Sequence, residues 1–202
     1  MRYFTALATA LLAAGCLGPA PGQLSPLAGP ARTGDITALQ RMIAAGANPN
    51  VTDPGGNHWT PLLHAIHKEQ IVAVDALLRA GADPKLASGG VQPLLMAVGT
   101  GNAPIVRRLL EAGADPRSDD TIFLTAVSGG ALSDLDNPLL GRCPTEVVKA
   151  LLERAPDLRL SPGPRTRIAL AFAWFNHCGD ELRAAGVRGV NEVSLKTAKR
   201  GH

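Results

Sequence analysis

The chain has 202 residues, enough for one domain of ordinary size with a tail, and a formal net charge of +3. So mild a balance excludes a protein that holds nucleic acid by charge. Only 3 % of the residues are aromatic, while alanine, leucine and glycine abound. A core of such small side chains needs helices packed closely together, which points to a helical repeat.

Behind Arg2, "TALATALLAAG" (Thr5 to Gly15) is an uncharged apolar run. It is shorter than the roughly 20 helical residues that span a bilayer and has the length of the apolar region of an export signal. The run ends in "LLAAGC", with Ala13, Ala14 and Gly15 directly before Cys16. This ending resembles a bacterial lipobox, which implies removal of residues 1–15 and lipidation of Cys16. The expected location is then the periplasm, anchored by lipid to the outer membrane. Two alternatives stay open: plain secretion with cleavage further on, and a buried N-terminal helix with a core cysteine. Residues 16–24, with "LGPAPGQL" after the cysteine, read as a Pro/Gly tether.

From here a repeat organises the chain. "SPLAGPARTGDITALQRMIAAGANP" starts at Ser25, "TPLLHAIHKEQIVAVDALLRAGADP" at Thr60 and "QPLLMAVGTGNAPIVRRLLEAGADP" at Gln92, so the starts lie 35 and 32 residues apart. A period near 33, with T-P-L at the head and L-L-x-x-G-A-D at the foot, resembles the ankyrin repeat. The fourth first helix is "TIFLTAVSGGA" (Thr121 to Ala131), and its second helix, "PTEVVKALLERAPD" (Pro144 to Asp157), arrives after an insertion. A degenerate fifth unit runs from Arg165 to Val187 without the T-P-L. The resemblance covers residues 25–187 and implies an all-α ankyrin-repeat solenoid of four to five helix-turn-helix units. Residues 188–202, ending in the basic "KTAKRGH", form a solvated tail.

Each part of the repeat has a physical reason. Thr60 caps the first helix with its hydroxyl, and Pro61 occupies the first turn, where its missing N–H is no loss. Ala65, Ala97 and Ala126 fall where neighbouring helices approach too closely for a larger side chain. Leu77–Leu78 and Leu109–Leu110 fill the space between stacked units. Gly46, Gly81 and Gly113 end second helices, where the chain needs a left-handed residue. One unit cannot bury its own apolar face, so the units must stack.

Chemistry finds few footholds. The family motif T-P-L-H-x-A has its histidine where this chain has Leu63, which leaves His64 one place on as a half-buried core residue. His58, His64 and His67 offer a zinc reading, since i,i+3 histidines share a helix face, but no acid or sulfur of that repeat completes the set. Asp134, Asp136 and Asn137 lack the glycine and bidentate acid of a calcium loop. His177 beside Cys178 suggests a thiol enzyme only without the shell that would support one. The reading is non-catalytic, with no cofactor and no metal.

With Cys16 lipidated, Cys143 and Cys178 remain, each at or just before the second helix of units four and five. In an oxidising compartment such a pair bridges, the alternative being two buried thiols. The resemblance implies binding of another protein, as envelope adaptor or scaffold, or as an immunity protein neutralising a toxin that acts in the periplasm. No nucleic acid is expected as partner, the membrane is reached only through the lipid, and the free protein is monomeric. Ankyrin arrays bind partners on the side of the inter-repeat fingers and first helices. Projected onto this chain, that face consists of His58, Trp59, His67 and Lys68 in unit two. Val91, Gly99 and Thr100 continue it in unit three, then Asp120, Ser128 and Gly129 in unit four.

Overall fold

The computed structural model describes residues 25–54, 57–129, 143–175 and 178–188. Outside them lie residues 1–24 with Cys16, the insertion carrying Asp134, Asp136 and Asn137, His177, and residues 189–202. Among the described residues, ten helices follow one another in pairs. Unit one is α1 (Ala28–Thr33) and α2 (Ile36–Ala44); unit two is α3 (Pro61–His67) and α4 (Ile71–Arg79). Unit three is α5 (Pro93–Thr100) and α6 (Ala103–Glu111); unit four is α7 (Asp120–Ser128) and α8 (Thr145–Arg154). Unit five is α9 (Pro164–Phe175) and α10 (Gly179–Ala184). Among the described residues there is no strand, only one antiparallel bridge between Ser88 and Val91. No described helix is long and apolar enough to cross a membrane.

The helices stack in two layers. First helices pack in order, α1 on α3, α3 on α5, α5 on α7 and α7 on α9, and second helices do the same from α2 to α10. Alanine makes the inner layer possible: Ala65 and Ala97 are completely buried and Ala126 almost so. Between the layers, Leu39, Leu62, Ile66, Leu77, Ile105, Leu109, Ile122, Leu151 and Leu182 are removed from solvent and form one core through all five units. The architecture is the expected solenoid.

Capping varies from unit to unit. Thr60 Oγ1 accepts from the Leu63 N–H at 3.3 Å, with Pro61 behind it. Gln92, at the corresponding place in unit three, makes no such bond. In unit four the cap is Asp119, which accepts from the Thr121 N–H at 2.8 Å and from its hydroxyl at 2.6 Å. The helix therefore starts one residue before Thr121. Helix ends are more uniform. Gly46, Gly81, Gly113 and Gly186 all have φ between 88° and 99°, and each is followed by an N–H that bonds back to the helix, as Ala82 does to Leu77. Glycine reaches this left-handed turn without Cβ strain.

Polar side chains join the units at the same period. Asn50 Nδ2 donates to the Gly81 carbonyl at 3.0 Å, and its Oδ1 accepts from the Asp83 N–H at 2.8 Å. Asn102 Nδ2 donates to Glu69 at 2.9 Å. Along the second helices, Arg108 pairs with Asp75 at 3.1 Å and Arg107 with Glu146 and Glu153; in the loops beyond α6 and α8, Arg117 pairs with Asp157. Such exposed pairs contribute little stability singly.

Candidate protein-binding face

The finger between units one and two is built around Trp59. The Asp53 N–H donates to the Trp59 carbonyl at 2.8 Å and closes the loop. His58 takes a left-handed φ of 54°, uncommon for a residue with a side chain. Its carbonyl accepts from the Ser88 hydroxyl, so the next finger holds the strained residue in place. Gly89 comes from that same finger. A Cβ there would lie 2.8 Å from Trp59 Cδ1 and collide with the Asn57 carbonyl, so only glycine lets the two fingers close.

Two imidazoles complete the setting of the indole. The His64 ring meets it edge-on at 5.5 Å between centroids, and the His67 ring lies tilted at 5.1 Å. His58, His67 and Lys68 are exposed and Trp59 is half-buried. Lys68 makes no ion pair among the described residues. The result is a ledge of imidazole, indole and ammonium groups along α3, from His58 and Trp59 before its start to His67 and Lys68 at its end. Trp59 is also scaffold, since part of its ring is used against Gly89.

The rest of the projected face divides. Asp120 is exposed, and Val91 and Thr100 are half-buried. Gly99, Ser128 and Gly129 are buried, which corrects their placement on an accessible surface. Small residues at the ends of first helices let the surrounding packing close over them. The hydroxyls of Thr100 and Ser128 turn back to the carbonyls of Ala97 and Thr125, each at 3.0 Å, rather than outward.

His64 is buried at 7 % exposure, more deeply than expected, with Nε2 3.6 Å from Asp53 Oδ2 and no hydrogen-bond partner. Burial holds its imidazolium below the ordinary range; Asp53 pulls it back up, while Arg32 from α1 and His67 push it down. The unfolded chain therefore takes up a proton at pH values where folded His64 does not. Stability is complete above about pH 6.5, the ordinary histidine value, and declines as the pH falls from there towards the depressed value. Urea midpoints measured between about pH 7.5 and 5 should drop for the wild type and drop less for His64→Gln. Equal slopes would place the effect elsewhere.

Cys143 and Cys178 are joined by a disulfide, with Cα atoms 5.3 Å apart. The bridge ties the start of α8 to the start of α10, across the boundary between units four and five.

Residues 28–120 match the family model described as ankyrin repeats in three copies. The fold is that of an ankyrin-repeat array. The ankyrin repeat domain of human ASB11, a crystal structure, superposes with a TM-score of 0.61 at 25 % identity, covering 81 % of this chain and 70 % of that one. Human 2-5A-dependent ribonuclease is 35 % identical over 72 residues, which are 35 % of this chain and 10 % of the ribonuclease. The chain thus spans about a tenth of that enzyme, and the likeness lies within the ankyrin region. Ankyrin repeats are generic protein-interaction modules.

Proposed function

We propose that this chain is a non-enzymatic protein-binding module of the bacterial envelope, held to the outer membrane through lipid on Cys16 and acting as an adaptor or scaffold. One observation carries the choice of face. On the outer layer Arg107, Arg108 and Arg117 are drawn into ion pairs between units, whereas the ledge of His58, Trp59, His67 and Lys68 is accessible around a half-buried indole. Tryptophan with polar neighbours is a common centre of binding energy at protein interfaces.

The anchor rests on "LLAAGC" and the Pro/Gly stretch behind it. Stable anchoring needs more than one acyl chain, and a lipidated N-terminal cysteine supplies several. Cys16→Ser is expected to move the protein from the membrane to the soluble envelope fraction and to remove the added lipid mass. Unchanged partitioning and unchanged mass would rule the anchor out. The partner is sought by capture from the native envelope. Co-expression with the product of a neighbouring gene separates the two roles: relief of that product's toxicity makes this an immunity protein, and its absence with a resident envelope protein captured supports the adaptor.

A further inference from the structure

The disulfide between Cys143 and Cys178 has a neighbour that a purely structural bridge does not need. Cys143 lies two residues before α8, Cys178 immediately precedes α10, and Glu181 belongs to the first turn of α10. The two sulfurs and a Glu181 carboxylate oxygen all lie within 4.8 Å of one another. Cys178 is buried, Cys143 half-buried and Glu181 exposed, so the group runs from the core to the surface. Arg183, the nearest cation along α10, pairs with Asp180 instead and leaves the Glu181 carboxylate facing the sulfurs without that partner.

We propose that, when the bridge is reduced, Cys143, Cys178 and Glu181 form a binding site for a thiophilic divalent cation of the zinc class. The reduction is thiol–disulfide exchange with a dithiol: its thiolate attacks one sulfur, the S–S bond breaks, and the reductant departs as its own disulfide, leaving two protein thiols. Cation binding then releases both thiol protons to solvent and forms two metal–sulfur bonds and one metal–carboxylate bond. Tetrahedral zinc, with Zn–S near 2.3 Å and Zn–O about 2.0–2.2 Å, keeps its ligands roughly 3.6–3.8 Å apart. Small side-chain adjustments bring the three donors to that spacing, and water takes the fourth position. The cation replaces the covalent tie between α8 and α10 by a coordinate one. Units four and five are therefore fastened in either redox state, by sulfur–sulfur bonding in an oxidising compartment and by metal in a reducing one.

The test uses the full chain carrying Cys16→Ser, so that only these two thiols are present, reduced with a phosphine and titrated with Co2+. The expected result is one Co2+ per chain with thiolate-to-cobalt charge-transfer absorption, displaced by Zn2+, and none in the oxidised protein. Zn2+ is also expected to raise the melting temperature of the reduced protein and leave that of the oxidised protein unchanged. Glu181→Gln, a surface change that leaves both thiols in place, is expected to weaken Co2+ binding about tenfold or more, as loss of a group in a metal's coordination environment does. Absence of charge-transfer absorption in the reduced protein overturns the proposal. Equal affinity in Glu181→Gln overturns it too, since the thiols would then be an adventitious chelate without the third ligand.

Discussion

Leu109→Ala is expected to destabilise the protein by about 2–5 kcal/mol, because the lost transfer energy and the remaining cavity add where the surroundings cannot collapse. Leu109 is completely buried on α6, the middle second helix, which packs against α4 on one side and α8 on the other. Unit three links the ends of the array, so the loss falls on both its interfaces. Val72 supplies the contrast: it lies on α4 but is 55 % exposed, and Val72→Ala should change stability by no more than about 0.5 kcal/mol. Chemical denaturation followed by circular dichroism separates the two. A loss below about 1 kcal/mol for Leu109→Ala would mean that the units do not depend on one another through this layer.

Removing the bridge acts on a different part of the array. Cys143 and Cys178 are 35 residues apart in sequence, and closing a loop of that size is worth about 3–4 kcal/mol in the simple chain-entropy model. The double change Cys143→Ala with Cys178→Ala should lose about that amount, and lose it locally. In a solenoid each unit leans only on its neighbours, so amide exchange is expected to quicken in α8, α9 and α10 and to change little in α3 and α4. Mass-resolved hydrogen exchange on oxidised wild type and double variant makes the comparison. An even rise along the chain, or none, would contradict a local staple.

The repeat was legible because its parts are local. Thr60 and Pro61 start a helix, Leu77 and Leu109 fill the interior, and Gly81 and Gly113 end helices for reasons contained within a few residues of each. Unit five was harder to read, since it lacks the head motif, yet Gly186 keeps the same left-handed turn at its foot. In unit four Asp119 took over the capping role from the Thr121 frame, a substitution that the repeat period does not reveal. Long-range contacts left no sequence signal. Nothing in the spacing places Asp53 beside His64 or seats Trp59 on Gly89, because both contacts depend on how one finger folds against the next. Projection from the repeat places Gly99, Ser128 and Gly129 on the surface, whereas tertiary packing buries them.

The central claim is that a partner protein meets this array on the ledge along α3, and site-specific photocrosslinking tests it most directly. A photoreactive residue is placed at Lys68 on the ledge, or at Arg79 at the end of α4 in the outer layer, both exposed or partly so, and the full-length protein is irradiated in its own envelope. Lys68 is expected to yield one discrete adduct that weakens when His67→Ala is added, and Arg79 none. The same adduct formed from Arg79, or from both positions alike, would contradict the ledge as the binding face.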